Sequence, residues 1–443
     1  MHSKKVYLHT FGCKINQYET QALKEKLHAM GGMKETSSPG QADCILLNSC
    51  AVTSRALQDL RKAARRFYRE NPGVSIVVTG CAVKHFGKEL GDLPGVEKLV
   101  PQEAKSQAAK YIHYLCNPGE SVEKGQEAAT QEFFPFEDLN ISDFSRARPV
   151  VKVQDGCSRV CTYCIVPLSR GGSRSRDPGD IAGEIDRLYA NGMREVVISG
   201  INLAQYEYRS WEMGDFWDLV VWLDRELYRK YGQDIRLRLS SLDPSLLDSK
   251  GLETLTGSKL VCPHLHISLQ SASSGVLSRM GRSHYQGRDI KEFINRLNSH
   301  WRIYALGVDI LLGFPGESSE DFRETYDFVL DMPFTYGHVF VFSPRPGTRA
   351  SRMSPAVSRS DKKQRSREMH ELFRAKKDAF LQRLEMESSL RVIVEQENPG
   401  LGMNEYYTLS YFNRGQEGLQ KASLVETRPV SASAEGIYVE RLT

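Results

Sequence analysis

Three cysteines crowd into the eight-residue run Cys157-Ser-Arg-Val-Cys161-Thr-Tyr-Cys164, directly after the apolar, strand-like segment Pro149 to Val153. Three thiolates this close can ligate three irons of a cubane iron–sulfur cluster and leave the fourth iron open, whereas four cysteines give the saturated arrangement usual for electron carriers. An open iron can bind a substrate. The competing chemistry is structural zinc, which wants four Cys or His ligands in closed tetrahedral coordination. No histidine lies nearby, and the next cysteine, Cys262, is about a hundred residues on.

A second set of three is spread over the first third of the chain. Strand-like runs at Lys5 to Thr10, Cys44 to Leu47 and Ser75 to Val78 lead to Phe-Gly-Cys13, Asn-Ser-Cys50 and Thr-Gly-Cys81. Helix-like stretches at Gln17 to Ala29, Ser54 to Glu70 and Glu103 to Cys116 alternate with them, which predicts a parallel sheet with crossover helices, a Rossmann-like arrangement. In such sheets the loops beyond the carboxyl ends of the strands converge on one crevice, where three separated thiols would meet. A single cysteine of this kind is ordinarily a small buried hydrophobe, and Cys44, Cys116 and Cys262 are read that way.

The run C-x3-C-x2-C with an aromatic before its last cysteine resembles the signature of radical S-adenosylmethionine (SAM) enzymes. That resemblance implies a [4Fe–4S] cluster on Cys157, Cys161 and Cys164 whose open iron chelates the amino and carboxylate groups of SAM. The words Phe-Gly-Cys-Lys-Ile-Asn-Gln-Tyr-Glu (11–19), Asn-Ser-Cys-Ala-Val-Thr (48–53) and Val-Thr-Gly-Cys-Ala (78–82) resemble the N-terminal domain of the methylthiotransferases, radical SAM enzymes that carry a second [4Fe–4S] cluster on three cysteines, here Cys13, Cys50 and Cys81. Val-Ile-Ser-Gly-Ile-Asn (197–202), His-Ile-Ser-Leu-Gln-Ser (266–271) and Asp-Ile-Leu-Leu-Gly-Phe-Pro-Gly-Glu (309–317) resemble strand ends of the family's SAM pocket, which makes Tyr163, Gly200, Gln270 and Asp309 candidate SAM contacts. Gly313-Phe-Pro-Gly316 also reads as a plain strand-to-helix turn. The Gly-Gly-Glu word of many radical SAM enzymes is absent, as it commonly is in methylthiotransferases.

The elements that must position these residues fall into four stretches. Residues 1–116 form the methylthiotransferase-like N-terminal domain. Residues 117–147 read as a linker, rich in Glu and Asp, with a Phe133, Phe134 and Phe136 cluster that tucks against one domain. Residues 148–385 alternate strands at Val150 to Val153, Glu195 to Ser199, Ile235 to Ser241, His264 to Gln270, Val308 to Leu312 and His338 to Phe342 with helices. Six β–α units suggest an incomplete parallel barrel, a partial (β/α)6 barrel with its site at the carboxyl ends of the strands. Residues 386–443 change texture: short strands at Leu390 to Val394, Tyr406 to Tyr411 and Ile437 to Val439 suggest a small β-barrel that resembles the RNA-binding TRAM domain. The chain is thus α/β overall, with a small all-β end.

The net charge of +4, from 59 basic and 55 acidic residues, says little about partners. Its distribution says more. Residues 387–443 carry five Arg or Lys against eight Asp or Glu, the wrong sign for phosphate, and Tyr406, Tyr407, Tyr411 and Phe412 read as barrel core sooner than as base-stacking platforms. The helix after Cys50 carries Arg55, Arg61, Lys62, Arg65, Arg66 and Arg69, and residues 352–383 hold ten basic against four acidic side chains, so both are candidate tRNA backbone contacts beside the bland reading as solvated faces. Arg170, Arg174 and Arg176, just past the cysteine loop, are candidates for phosphate or substrate. No run approaches eighteen apolar residues and no signal-peptide pattern opens the chain, so the expectation is a cytoplasmic protein with reduced thiols and no membrane partner.

The resemblance implies a reaction: radical SAM methylthiolation, needing two [4Fe–4S] clusters, SAM and an external one-electron donor such as flavodoxin or ferredoxin. The Cys-Lys-Ile-Asn-Gln-Tyr-Glu word most resembles the MtaB subgroup, which implies the anticodon stem-loop of tRNA as partner and N6-threonylcarbamoyladenosine at position 37 as substrate. Isopentenyladenosine in tRNA and an aspartate of a ribosomal protein are the sibling alternatives. A non-catalytic iron–sulfur protein that binds RNA or carries electrons is the alternative of another class.

Overall fold

The computed structural model describes residues 3–117, 136–137, 139–210, 213–413 and 418–442; Phe133 and Phe134 lie outside these. The first unit runs β1 (Lys4–Thr10), α1 (Lys14–Ala29), β2 (Met33–Glu35), β3 (Cys44–Ser49), α2 (Ser54–Glu70), β4 (Ser75–Gly80), α3 (Val83–Gly91), β5 (Val96–Val100) and α4 (Ala108–Cys116). The sheet order is β2-β1-β3-β4-β5 and every pairing is parallel. Alternation along the strands feeds two apolar layers. Val6, Cys44, Leu46 and Val77 pack beneath α1 and α4, while Ile45, Leu47, Ile76 and Val78 pack beneath α2 and α3.

The central unit consists of β6 (Val150–Asp155), α5 (Val166–Arg170), β7 (Arg174–Ser175), α6 (Pro178–Ala190), β8 (Glu195–Gly200), a hairpin β9 (Glu207–Ser210) and β10 (Met213–Asp215), α7 (Phe216–Tyr231), β11 (Arg236–Leu239), α8 (Ser249–Gly257), β12 (His264–Gln270), α9 (Ser274–Met280), α10 (Gly287–Asn298), β13 (Ala305–Leu312), α11 (Ser319–Asp331) and β14 (Tyr336–Val341). Strands β6, β8 and β11 form one parallel set, with β7 antiparallel on its edge; β12, β13 and β14 form a second. Parallel bridges Leu237 to Val261 and Leu242 to Ile267 join the two sets into one incomplete barrel. The expected arrangement of six parallel strands is the one observed.

Helix α12 (Arg359–Glu385) crosses the outside of β14 and leads to β15 (Leu390–Gln396), β16 (Leu401–Asn404), β17 (Leu409–Phe412), β18 (Leu424–Ala432) and β19 (Ile437–Arg441), which close as β15-β16-β17-β19-β18. Its stripe Met369, Leu372, Phe373, Phe380 and Leu384 is buried beneath the basic side chains. The expected strand from Tyr406 starts instead at Leu409. The Asn404 side-chain oxygen accepts from the amides of Tyr406 and Thr408 at 3.1 and 3.0 Å, so 405–408 is a turn.

Residues 139–147, placed in the linker, are packed as a seam between the first unit and the barrel. Leu139, Ile141, Phe144 and Ala147 are buried. The Tyr18 hydroxyl donates to the Leu139 carbonyl and the Glu25 carboxylate accepts from the Ser142 amide at 2.7 Å. Phe136 lies under the Lys152 ammonium, 5.2 Å from ring centre to nitrogen. Among the described residues, no helix is long and apolar enough to cross a membrane.

Candidate metal centres at the strand ends

Cys13 stands at the start of α1, Cys50 follows β3 and Cys81 follows β4. Because β1, β3 and β4 are neighbours, the three thiols share one carboxyl edge of the sheet. Two glycines make that possible. Gly12 has φ +98°, and a Cβ there would lie 2.8 Å from the Cys50 sulfur; Gly80 has φ +100°, and a Cβ there would lie 2.4 Å from the Ser49 carbonyl oxygen. Asn16 Nδ2 donates to the carbonyls of Phe11 and Ser49 at 2.8 and 2.9 Å, tying the Cys13 turn to the Cys50 strand. Cys13 is exposed while Cys50 and Cys81 are buried, and burial pushes the Cys50 thiol up to about 11 and raises that of Cys81.

Cys157, Cys161 and Cys164 occupy the loop after β6, at the carboxyl end of the barrel. The Cys157 amide donates to the Gly171 carbonyl at 3.0 Å, and Thr162 is held on both sides, its amide donating to Met280 O at 2.9 Å and its carbonyl accepting from Ala350 N at 2.8 Å. Donors face two of the sulfurs: Asn202 Nδ2 stands 3.7 Å from Cys157 Sγ and an Arg282 NH group 3.8 Å from Cys161 Sγ. Arg282 is braced by the Asp243 carboxylate and the Ser268 carbonyl, both at 3.0 Å. Burial pushes the Cys164 thiol up to about 12.

The donor sets suit a multi-iron cage. Among the described residues, the groups whose ligand atoms all fall within 4.8 Å of one another are His266, Asp309 and His338, and Glu19, Glu137 and Asp155. Each cysteine triplet offers three sulfurs, one short of the four Cys or His ligands of a closed zinc site.

The two cysteine loops abut. Ile165, next to Cys164, belongs to the same apolar cluster as Phe11, Cys50 and Cys81. Arg345, in the loop after β14, donates to the Ala51 carbonyl at 3.0 and 2.7 Å and to Ser54 Oγ at 2.7 Å. Sequence reasoning overlooked Arg345 and Arg282, lone side chains far from either cysteine motif, and quoted the word that ends in Asn202 without proposing Asn202 as a contact.

Arg170 and Arg176 are not available to phosphate or substrate. Arg170 is 2% exposed and bonds to Glu19 and Asp155 at 2.8 Å each; Arg176 is 3% exposed and bonds to Glu184 at 2.9 Å. Arg174 is turned to Asp155, 3.7 Å away. The cause is electrostatic: the buried carboxylates of Glu19, Asp155 and Glu184 need cations, and these arginines supply them.

The proposed SAM contacts all lie in the barrel. Tyr163 is half-buried and meets Phe314 edge-on, 6.4 Å between ring centres. Gly200 ends β8, where a Cβ would lie 2.9 Å from Gln154 Cβ and 3.0 Å from Leu203, so packing alone calls for glycine. Gln270 ends β12 with φ +67°, a left-handed conformation that a non-glycine residue adopts at a cost of order 1–3 kcal/mol and that clusters at functional sites. Asp309 Oδ1 accepts from His266 Nε2 at 2.8 Å and His338 Nδ1 at 3.1 Å. Burial works against its charge, and these two hydrogen bonds outweigh it, holding the carboxyl well below the usual carboxylate range.

Residues 5–101 match the family model described as uncharacterized protein family UPF0004, and residues 151–329 match that of the Radical SAM superfamily. Over 418 residues, 94% of this chain and 98% of the relative, the sequence is 34% identical to the threonylcarbamoyladenosine tRNA methylthiotransferase MtaB of Aquifex aeolicus. The chain belongs to the radical SAM methylthiotransferase family. Within it, the MtaB of Bacillus subtilis is 33% identical over 81% of this chain and 78% of its own, and the tRNA-2-methylthio-N(6)-dimethylallyladenosine synthase of Natranaerobius thermophilus 30% over 82% and 79%. The fold is that of the radical SAM methyltransferase TsrM from Kitasatospora setae, with a TM-score of 0.59 at 14% identity over 79% of this chain and 75% of that one. Membership makes this methylthiotransferase an enzyme that uses SAM and a [4Fe–4S] cluster.

Proposed function

We propose that this enzyme converts N6-threonylcarbamoyladenosine at position 37 of tRNA to its 2-methylthio derivative, with two clusters, one on Cys157, Cys161 and Cys164 and one on Cys13, Cys50 and Cys81. The observation that carries the reading is the meeting of two cysteine triplets from two sheets, joined through Ile165 and Arg345. When bound with SAM and supplied with an electron from an external donor such as flavodoxin or ferredoxin, the barrel cluster supplies a 5′-deoxyadenosyl radical, the reagent needed to break an unactivated aromatic C–H bond.

The protein's own residues hold and shield the reactants. Arg282 and Asn202 place donors on the barrel sulfurs, where they favour negative charge. On the barrel wall Asp309 lies between His266 and His338, at 2.8 and 3.1 Å, and His338 is exposed there. The relatives named MtaB favour the threonylcarbamoyl substrate over the isopentenyl one. For tRNA, Lys62, Arg65 and Arg69 stand exposed on α2, the helix whose first turn follows the Cys50 strand end, while Arg61 is drawn to Glu89 and Arg66 to Glu70.

Nucleoside mass spectrometry of tRNA from a strain lacking the gene tests the proposal. The 2-methylthio-threonylcarbamoyladenosine should vanish and return with the gene. Its persistence, with loss of the isopentenyl counterpart, would assign the sibling substrate instead.

A further inference from the structure

We infer that Arg170 is a positioning residue for the cluster on Cys81: it locks that ligand to the barrel and raises the cluster's reduction potential through an N–H···S bond. The inference rests on the proposed ligand set Cys13, Cys50 and Cys81. Arg170 Nε stands 3.1 Å from Cys81 Sγ, and the rest of the guanidinium is committed: one NH group donates to Glu19 Oε1 and Asp155 Oδ1 at 2.8 Å each, the other to Asn16 Oδ1 at 2.9 Å and Glu19 Oε2 at 3.2 Å. Two of these partners, Asn16 and Asp155, each tie to one of the two sites. Asn16 anchors the Cys13 turn, and Cys13 Sγ lies 3.6 Å from its side-chain oxygen. Asp155 ends β6, two residues before Cys157. Arg170 itself ends the helix that follows Cys164.

The planar fork therefore reads one side of each cysteine loop at once, geometry an ammonium cannot reproduce. The charge is balanced within the group, since the three carboxylates of Glu19, Asp155 and Glu137 face the three cations Arg170, Lys105 and Lys152. A buried donor on a ligand sulfur stabilises the more negative, reduced cage, and hydrogen bonds to sulfur are among the determinants of cluster potential.

The test uses the full chain with Cys157, Cys161 and Cys164 replaced by alanine, so that only the N-terminal cluster reports, and measures its midpoint potential by anaerobic EPR titration. Arg170→Lys, which keeps a buried cation opposite Glu19 and Asp155 and loses the directed N–H, should lower the reduced-to-oxidised ratio at a fixed potential about tenfold, about 59 mV for a one-electron couple. Arg170→Met should lower it further. Unchanged potential in the lysine variant with full iron content would overturn the inference, and the lysine variant carries the test should the methionine variant not fold. A triple-alanine parent that binds no iron would instead refute the ligand set on which the inference rests.

Discussion

Tyr407, from the C-terminal barrel, stacks on His264 at the first residue of β12, with ring centres 4.7 Å apart and planes 27° from parallel. Arg148 and Arg238 lie against the same ring, each 5.4 Å from its centre. One tyrosine, held at φ +58° by the Asn404 turn, thus seats the small barrel under the foot of the large one.

Tyr407→Ala should therefore destabilise the chain by about 1–3 kcal/mol, less than the 3–5 of a fully buried aromatic because the ring is half-buried. Urea denaturation checks the size. Hydrogen exchange should show the loss at β16, β17 and β12, while Val430→Ala on the exposed face of β18 changes stability by less than about 0.5 kcal/mol. Equal effects of the two variants would mean that Tyr407 is not the seat.

Glu195 meets Arg236 and Arg238 at 2.6 Å each, and the arginines also donate to the carbonyls of Met403, Asn404 and Glu405. Burial works against the charge of Glu195, but the two guanidinium groups outweigh it and hold the carboxyl well below its ordinary value. The folded chain then binds fewer protons than the unfolded one, so this stability is present in full above about pH 4.3 and is lost as pH falls. Glu195→Gln should cost about 3–5 kcal/mol at pH 7, since two buried cations lose their partner, and should flatten the acid side of the stability profile. An acid limb as steep as in the parent would contradict this.

Gly12→Ala should halve the iron content after anaerobic reconstitution, from about eight to about four per chain, because the new methyl group would press on Cys50. Gly31→Ala is the control. It too sits at positive φ, +76°, but nothing lies within 4 Å of its Cβ position, so iron should stay near eight. Full iron in Gly12→Ala would place the second cluster elsewhere.

Cys50→Ala should retain SAM cleavage to 5′-deoxyadenosine and lose methylthiolation, whereas Cys161→Ala should lose both. Chromatography of the nucleoside products separates the two activities. Methylthiolation surviving in Cys50→Ala would make the N-terminal thiols structural.

Replacing Lys62 and Arg65 by glutamate should weaken tRNA binding and reduce the slope of log affinity against log salt by about one for each phosphate that is no longer neutralised, with SAM cleavage in the absence of tRNA unchanged. An unaltered slope would move the docking surface away from α2.

The cysteine placement was legible because it follows from chain topology. Cys13, Cys50 and Cys81 each end a strand-like run, and a right-handed parallel sheet brings such ends to one edge whatever the rest of the chain does. The α2 boundaries, Ser54 and Glu70, were equally plain, since Thr53 caps the helix and its apolar period runs to Phe67. Tyr407 was misread for the opposite reason. Alternation suggested a strand through it, but a side-chain turn at Asn404 decided the local backbone.

Residue types and their order along the chain determined the fold class, the two thiol triplets and the basic face of α2, because these depend on local pattern and on the handedness of crossovers. Tertiary structure alone decided what the arginines do. Arg170, which reads as a candidate for phosphate or substrate just past the cysteine loop, is buried against Glu19, Asp155 and the Cys81 sulfur, residues from 15 to 151 positions away. The strength of a charge–charge contact depends on distance in space and on the exclusion of water, and neither is written in sequence separation.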